Sequence, residues 1–311
     1  MRVIGVEEFG PPEVLREFDV PDPHAGPGEI RIAVRAAAVN PTDTLLRSGA
    51  RADALRELPT PHVPGMDAAG VVDEVGAGVD RFSLGDEVMA IVLPRSTHGG
   101  YAEFLVVPEA SAVPIPVGAS FAEAASIPMN GLTAQLALDL LDLPVGSTIG
   151  VTGAAGAFGG AVVQLAKHRG LRVIADASES DDALVRSLGA DVVVRRGDDV
   201  AARMREACPG GVDGLADGSL QAPDVLDAIR DGGRLATVRG WAEPCPRGIS
   251  AHPVWVRDYV TATASLDELR ALAESGALTM RVAEEIPAID APRAHRLLEA
   301  GGRRGRFVLV R

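Results

Sequence analysis

Small residues at fixed spacing near the middle of the chain could bind a pyrophosphate. Ala154, Gly156 and Gly159 form an A-x-G-x-x-G pattern, with Gly153 and Gly160 beside it. Small residues at these places let the backbone turn tightly, approach a pyrophosphate and pack a helix closely on a sheet. The N-terminal amides and the dipole of such a helix would bind phosphate. The same residues suit any tight turn between a strand and a helix, so the pattern alone is weak.

The residues around this pattern predict the strand and the helix that it requires. Residues 148–152 are short, mostly apolar and rich in β-branched side chains, as expected of a strand buried on both faces. Phe158, Val162 and Leu165 share one face of the following helix, and Gly170 stands where a helix ends. This context favours dinucleotide binding over a purely structural turn.

The periodicity of the apolar residues changes along the chain. Up to residue 120, short runs alternate with period two between clusters of proline and glycine, which predicts a β domain. From about 122 to 260, strands alternate with helices, as is typical of a doubly wound parallel sheet. We predict its strands at 148–152, 172–176, 191–195, 212–216, 234–238 and 257–262, and helices at 181–188, 198–208 and 223–229.

The last fifty residues predict a different arrangement. Leu266, Leu269 and Leu272 indicate an amphipathic helix, and a second helix near 291–300 precedes a final strand at 306–310. Such a remnant cannot bury a core by itself, so we expect it to return to the first domain. The predicted domains are a substrate-binding and catalytic domain at 1–121, a dinucleotide-binding domain at 122–262, and a return to the first at 263–311.

Composition limits the classes of function. A chain of 311 residues can form two domains, and a formal net charge of −13 argues against nucleic acid and anionic membranes as partners. No apolar run reaches membrane-spanning length, and the chain begins as a strand rather than a signal peptide. Cys208 and Cys245 are far apart, as suits a reducing compartment. We therefore expect a cytoplasmic protein that acts on a small molecule.

A series of short motifs, in one order and spacing, carries a resemblance to a known family. Besides the glycine turn they are Asn40–Asp43, Pro64–Gly70, Val75–Gly76, Gly85–Val88, Gly99–Glu103, Gly131–Ala134, Ser187–Asp191, Asp231–Arg234 and Gly305–Leu309. Each motif alone is weak, but together they span almost the whole chain. The sequence resembles the zinc-independent quinone oxidoreductase branch of the medium-chain dehydrogenase/reductase superfamily.

The resemblance implies a fold, a cofactor and an assembly. The fold is α/β, with a doubly wound Rossmann domain and a GroES-like β-barrel domain formed by both chain ends. Nicotinamide and substrate are expected to meet in a cleft between the two domains. The resemblance also implies a homodimer, because a sixth Rossmann strand near Asp258–Ala262 would leave an edge that an identical strand can pair.

The same resemblance predicts the absence of a metal. Zinc-dependent alcohol dehydrogenases of the superfamily carry Cys and His where this chain has Asn40 and Met66, and neither replacement is a plausible zinc ligand there. Without a Lewis acid, oxidation of a simple alcohol is difficult, because nothing stabilises the alkoxide. A quinone or an enone already delocalises the incoming hydride charge onto an oxygen. We therefore predict a reductase of quinones or α,β-unsaturated carbonyls.

Two residues are the predicted catalytic contacts. The amide of Asn40 could orient a substrate carbonyl, and Thr133 lies by resemblance near the nicotinamide ring. Each also has a structural interpretation. Asn-Pro starts turns, with Thr42 or Asp43 capping a helix at 44–47, and the Thr133 hydroxyl could bond a carbonyl one turn back. For Asp43 capping is favoured, and for Asp67 a structural hydrogen bond is favoured.

The choice between NADPH and NADH depends on the residues after the second and third strands. Asp176 could bind the ribose hydroxyls of NADH, but alignment with the family puts Ala177 and Ser178 at the discriminating place, which leaves room for a 2′-phosphate. Arg196 could bind that phosphate, although Glu179, Asp181 and Asp182 count against it. NADPH is favoured, with NADH possible. The predicted cofactor-binding residues are Asn40, Thr133, Gly153, Ala154, Ala155, Gly156, Ala157, Phe158, Gly159, Ser178, Arg196 and Arg306.

Two rival functions stay open. An enoyl-thioester reductase on the same fold would need basic residues near the cleft, for which Arg47, Arg51 and Arg56 are the candidates. A dinucleotide-binding protein without turnover, acting as a redox sensor, is the other.

Overall fold

The computed structural model describes residues 1–50 and 52–311, so Arg51 lies outside the described residues. The chain forms two compact units. The first comprises Met1–Met129, Val260–Glu274 and Met280–Arg311, and the second comprises Asn130–Tyr259 and Ser275–Thr279.

The strands and helices follow one another along the chain with short connections. The strands are β1 (Arg2–Gly5), β2 (Arg16–Asp19), β3 (Glu29–Ala38), β4 (Asp67–Val75), β5 (Glu87–Ile91), β6 (Phe104–Pro108), β7 (Ala112–Pro114), β8 (Thr148–Thr152), β9 (Arg172–Ala177), β10 (Val192–Arg195), β11 (Val212–Asp217), β12 (Ile229–Thr237), β13 (Ser250–Pro253), β14 (Val282–Pro287) and β15 (Arg306–Val310). The helices are α1 (Pro41–Ser48), α2 (Ala52–Leu55), α3 (Phe121–Ala125), α4 (Pro128–Leu141), α5 (Ala157–His168), α6 (Asp182–Ser187), α7 (Val200–Ala207), α8 (Thr263–Glu274) and α9 (Ala291–Ala300).

The first unit is built on a largely antiparallel sheet, in which only the β14–β15 pair of the described strands is parallel. Its larger sheet has the order β14-β15-β3-β4-β5-β7, with β6 also paired to β3. Along β3 the side chains of Ile30, Ile32 and Val34 are buried and alternate with less buried residues, as expected of a strand with one face on a core. Because β15 pairs with β3 and β14 with β15, both chain ends contribute to this sheet. The tail therefore returns to the first unit.

The second unit is a parallel sheet with the order β10-β9-β8-β11-β12-β13. Helix α5 packs against β8 and β9, and α7 packs against β9 and β10. The order reverses at β8, the strand that leads into the glycine turn, and the carboxyl ends of all these parallel strands lie at one edge. The predicted doubly wound fold is confirmed.

The sixth strand of this sheet lies earlier than predicted. A strand was expected at 257–262, but β13 (Ser250–Pro253) pairs with β12, and residues 256–259 form a 3₁₀ turn. An edge strand needs no continuous apolar run, so Ser-Ala-His-Pro lacks the usual signal. Within the predicted stretch, Tyr259 and Val260 are only partly buried.

Two other elements differ from expectation. The helix predicted at 223–229 is a 3₁₀ turn at Leu226–Ala228, because β12 begins at Ile229 and leaves no room for a longer helix. Strand β14 was not predicted, since Glu284 and Glu285 interrupt its apolar pattern.

The unit boundaries also differ from the predicted domain boundaries. The first falls at 129/130 rather than 121/122, because α3 packs on β3 and β4 of the first unit. The second falls at 259/260 rather than 262/263. Among the described residues, no helix is long and apolar enough to cross a membrane.

Candidate functional site

The glycine turn connects β8 to α5 in the way the sequence pattern requires. Gly153 has a φ of +67°, and the N–H of Gly156 donates to the carbonyl of Gly153 at 2.9 Å. A Cβ placed on Gly159 would lie 2.3 Å from the Gly153 oxygen, so only glycine lets α5 pack this closely on the turn. Gly156 is exposed at the start of the helix. The turn therefore presents backbone and a helix N-terminus to solvent, as a pyrophosphate site needs.

Asp176, near the end of β9, supports this turn. Its side chain is 3% exposed, and its Oδ1 accepts the N–H of Ala154 at 3.1 Å. Burial raises the pKa of Asp176, while the bonds from the turn and the charge of Arg196 act in the opposite direction. The carboxylate is thus engaged inside the protein, which weakens the case for Asp176 as the ribose-binding acid of an NADH site.

Asp217, at the end of β11, holds the strand end beside the glycine turn, and the sequence analysis did not identify it. It is 1% exposed, and its Oδ1 accepts the hydroxyl of Thr152 at 2.6 Å and the N–H of Ser219 at 3.1 Å. Its Oδ2 accepts the N–H of Ala222 at 2.9 Å. This carboxylate ties the last residue of β8 to the loop after β11. An acid ending a buried strand was the available signal.

Arg195 and Arg196 differ in the groups that they contact. The N–H of Arg196 donates to the carbonyl of Ala177 at 2.9 Å, which sets the start of its side chain beside the end of β9. Its guanidinium is exposed and has no ion pair with the residues that the structure describes. Arg195 instead pairs with Glu179 at 3.2 Å. Of these two arginines, Arg196 is the one available to a ligand.

The loop after β9 is folded back on itself. The Ser178 hydroxyl donates to Oδ2 of Asp181 at 2.5 Å and lies 2.9 Å from the hydroxyl of Ser180. Asp182 pairs with Arg186 at 2.6 Å. The three acids that counted against a 2′-phosphate are therefore each engaged with a neighbour in the protein.

Asn40 lies in a buried polar cluster of the first unit. Its side chain is 0% exposed, and its Nδ2 donates to Oδ2 of Asp67 at 2.7 Å. Its Oδ1 accepts from the guanidinium of Arg306, which also donates to the carbonyl of Val39. The amide of Asn40 thus joins a buried carboxylate to a buried guanidinium. Asp67 also accepts the N–H of Met129 at 2.5 Å, at the start of α4.

Asp43 caps α1 within the same cluster. Its Oδ2 accepts the N–H of Asn40 at 2.7 Å, and its Oδ1 accepts the N–H of Gly65 at 3.0 Å. The helix therefore begins at Pro41 instead of Thr44. The Tyr101 hydroxyl donates to Asp43 at 3.3 Å and lies 3.1 Å from Nε2 of His295.

The burial of these groups changes their acidity. Desolvation raises the pKa of Asp43 to about 6 and that of Asp67 to about 7. Desolvation also lowers the pKa of His295 to about 3, so its imidazole is neutral. The positive charge of Arg306 lowers the pKa of both carboxyl groups and so partly offsets the free-energy cost of burying them in ionised form.

The structure distributes the predicted site residues over both units. Thr133 is buried in the second turn of α4 and belongs to the second unit, as do Ser178, Arg196 and the glycine turn. In that turn Ala154 and Ala155 are buried, Ala157 and Phe158 are half-buried, and the Phe158 ring lies beside Gly218. The predicted residues of the first unit are Asn40 and Arg306, which contact each other.

Comparison with known families agrees with this architecture. Residues 26–117 match a model of the alcohol dehydrogenase GroES-like domain, and residues 188–309 match a model of the zinc-binding dehydrogenase family.

Relatives cover the chain from end to end. A quinone oxidoreductase of Rattus norvegicus is 31% identical over 327 residues, which span 100% of this chain and 98% of the rat protein. An NADPH-dependent alkenal/one oxidoreductase of Arabidopsis thaliana is 34% identical over 76% of this chain and 62% of its own length.

Solved structures have the same fold. A mycobacterial protein in complex with NADPH has 31% identity and a TM-score of 0.86, with 100% of both chains covered. An NAD-dependent alcohol dehydrogenase has 33% identity and a TM-score of 0.86 over the same coverage. The chain belongs to the quinone oxidoreductase-like branch of the medium-chain dehydrogenase/reductase superfamily. It is an NAD(P)H-dependent oxidoreductase.

Proposed function

We propose that this enzyme uses NADPH to reduce a quinone or an α,β-unsaturated carbonyl, without a metal. The observation that carries the proposal is the contrast at the edge of the nucleotide-binding sheet. Arg196 is exposed and without an ion pair among the described residues, whereas the carboxylate of Asp176 is buried against Ala154. A guanidinium can bind a 2′-phosphate, and a buried acid is poorly placed for a ribose hydroxyl.

The residues of the turn fit a dinucleotide. Helix α5 packs closely on the turn at Gly159, and Gly156 is exposed, so a pyrophosphate has space to reach the backbone. The N-terminus of α5 would stabilise its negative charge. Ser178 would lie at the adenosine end together with Arg196. The choice of NADPH is supported by the NADPH-dependent Arabidopsis relative and by the mycobacterial structure that contains NADPH. When bound, the nicotinamide would supply a hydride, and the chain's task is to orient cofactor and acceptor and to exclude water.

The residues at the family's zinc positions do not fit a zinc ion. The amide of Asn40 is engaged by Asp67 and by the cationic Arg306, and the Met66 sulfur accepts a hydrogen bond from the Thr42 hydroxyl at 3.1 Å. A guanidinium bonded to Asn40 would repel a second cation at that place. Among the described residues, no group of three or more His, Cys, Asp or Glu side chains could bind a metal ion.

Of the two predicted contacts of nicotinamide or acceptor, Thr133 keeps that proposed role. For Asn40, the bonds to Asp67 and Arg306 favour the structural interpretation, because they use its amide on both sides. Asn40 would then act by holding this cluster in place. Thr133 lies one turn into α4, whose first N–H groups include the one that Asp67 accepts.

An enoyl-thioester reductase gains less support from the candidate arginines. Arg47 is 3% exposed and pairs with Glu299, so its charge is not available to a thioester's handle. Arg56 is exposed and pairs with Asp53 at 3.0 Å.

The test is NADPH oxidation by the purified enzyme with a quinone, an uncharged enone and an enoyl thioester as separate acceptors. We expect turnover with the quinone or the enone, and tighter binding of NADPH than of NADH. Turnover with the enoyl thioester alone would replace the proposal with the first alternative. Cofactor binding without turnover of any acceptor would contradict the proposed substrate class.

A further inference from the structure

The turn after β12 presents an arginine that the proposed function does not use. Strand β12 ends at Thr237, whose hydroxyl donates to the carbonyl of Trp241 at 2.6 Å. The N–H of Val254, just after β13, donates to the carbonyl of Thr237 at 2.8 Å. Because both strands are parallel to β8, this turn lies at the same edge of the sheet as the glycine turn.

Arg239 in this turn has a strained backbone. Its φ is +65° and its ψ is 16°, a left-handed conformation that costs a side-chain-bearing residue stability. The next residue, Gly240, lies against the indole of Trp255. A Cβ on Gly240 would come within 2.6 Å of that ring. Strained residues that packing holds in place are concentrated at functional sites.

The surroundings of Arg239 are cationic and aromatic. Arg239 is exposed, and no carboxylate of the described residues forms an ion pair with it. The Arg257 guanidinium lies 5.1 Å from the centre of the Trp255 ring, and its Nε is 3.9 Å from Oδ1 of Asp258. The half-buried indole of Trp255 lies against Gly240, the residue after Arg239, and beside the Arg257 guanidinium. This turn therefore offers a ligand a flat apolar surface close to positive charge.

The position of this turn in the strand order indicates which part of a bound dinucleotide would lie near it. From β8 the order runs β11, then β12 on one side, and β9, then β10 on the other. Neighbouring strands are about 4.8 Å apart, so Arg239 and Arg196 lie roughly 10 Å to either side of the glycine turn. A dinucleotide with its 2′-phosphate at Arg196 therefore extends its nicotinamide half toward β11 and β12.

We propose that Arg239 binds an anionic group of the hydride acceptor, and that Trp255 packs near the acceptor's flat conjugated part. The enzyme then prefers enones or quinones that carry a carboxylate or a phosphate over neutral ones of the same shape. The inference rests on the proposed function, since it takes the nicotinamide end of the sheet from the placement of NADPH. Arg239 could bind a phosphate of the cofactor by the same chemistry, so the test must separate binding of the cofactor from binding of the acceptor.

The test compares one pair of acceptors that differ only in charge: benzalacetone and 4-carboxybenzalacetone. NADPH oxidation gives kcat/KM for each. The reduced products, 4-phenyl-2-butanone and 4-(3-oxobutyl)benzoate, are titrated by the fluorescence of Trp241 and Trp255, which are the two tryptophans of the chain. We expect the wild type to favour the carboxylate at least tenfold in both measurements. R239A should abolish this preference, and R239K should keep part of it.

Two further variants separate a binding role from a structural one. R239G should lose the preference while raising Tm, because glycine adopts the left-handed conformation without cost. R230A is the matched control: Arg230 lies at the opposite end of the same strand and bonds Asp213 at 2.7 Å, so the preference should survive.

The outcomes are distinct. Equal affinity of the wild type for both products overturns the inference, and so does an R239A variant that weakens NADPH binding but leaves the acceptor preference intact. If no acceptor is reduced, the proposed function fails. Arg239-dependent binding of the carboxylated product would then still establish the anion site.

Discussion

Two adjacent arginines have different partners in this enzyme. Arg195 and Arg196 follow one another at the end of β10, yet only Arg195 forms an ion pair with Glu179. The backbone bond from Arg196 to Ala177 brings the second arginine to the end of β9. We therefore propose that cofactor choice depends on Arg196, the guanidinium without an ion pair among the described residues.

Replacing Arg196 by alanine should weaken NADPH binding far more than NADH binding. A charge-assisted hydrogen bond contributes about 1.5–3 kcal/mol, which corresponds to roughly ten- to a hundredfold in affinity. Fluorescence titration of both cofactors measures the effect. R195A is the control and should change both affinities little, because its partner is Glu179. Equal weakening of NADH and NADPH by R196A would place Arg196 outside the phosphate site.

We expect the buried carboxylates of the first unit to make its stability dependent on pH. Desolvation raises the pKa of Asp67 to about 7, above the value of about 4 in an unfolded chain. The folded state therefore binds this proton more tightly, and the free energy of unfolding falls as the pH rises between these two values. Above the folded pKa, the contribution of Asp67 is fully lost.

D67N should remove this dependence. Relative to the variant, the wild type should lose up to about 1 kcal/mol of unfolding free energy per pH unit between pH 5 and pH 7. Urea denaturation at pH 5, 6, 7 and 8 gives the difference, with the exposed Asp80→Asn as control. A difference between wild type and D67N that stays constant over this range would show that Asp67 does not titrate there.

At the scale of the elements, we propose that the close packing of α5 on the glycine turn lets a dinucleotide approach the backbone. G159A would place a Cβ 2.3 Å from the Gly153 oxygen, so the helix or the turn must shift. We expect a loss of about 1–3 kcal/mol in unfolding free energy and at least tenfold weaker binding of NADPH. Denaturation and cofactor titration measure these changes.

The control for this substitution is G210A. A Cβ on Gly210 meets nothing within 4 Å, and its φ is not in the left-handed range. This variant should bind NADPH like the wild type. Wild-type affinity in G159A would mean that the turn tolerates a side chain, and that the close approach is not needed for binding.

At the scale of the whole molecule, we propose a homodimer formed through the edge of the nucleotide-binding sheet. Strand β13 is at one end of that sheet, eight residues before the stretch at Asp258–Ala262 that the sequence suggested. An edge strand offers unpaired backbone groups to an identical strand across a twofold axis.

Light scattering should give a dimer mass at micromolar concentration. A double variant with lysine in place of Ser250 and His252 should give a monomer of unchanged secondary structure, because charged side chains block pairing of edge strands. A monomer mass for the wild type would contradict the proposal. A dimer that survives both lysines would place the interface elsewhere.

We also expect the purified enzyme to bind no stoichiometric zinc. Elemental analysis of protein dialysed against zinc and then against buffer measures this directly. The physical reason is that the Arg306 guanidinium, which is bonded to Asn40, would repel a zinc ion at that place. About one zinc per chain would contradict it and favour an alcohol dehydrogenase mechanism.

The sequence by itself determined the features that depend on neighbours along the chain. The glycine turn and the alternation of strand and helix follow from short-range patterns, and the return of the tail follows from a segment too small to bury its own core. They are readable because each pattern is repeated within a few residues, as at Gly153–Gly159.

Tertiary structure decided the features that depend on residues distant in sequence. Asn40 is engaged by Asp67 and Arg306, and no local pattern shows that a residue near the end of the chain binds its amide. The edge strand β13 has little apolar character, because one side of an edge strand lacks a neighbour. Whether Asp176 or Arg196 meets a ligand depends on burial, and burial is a property of the packed sheet, which the order of residues alone does not state.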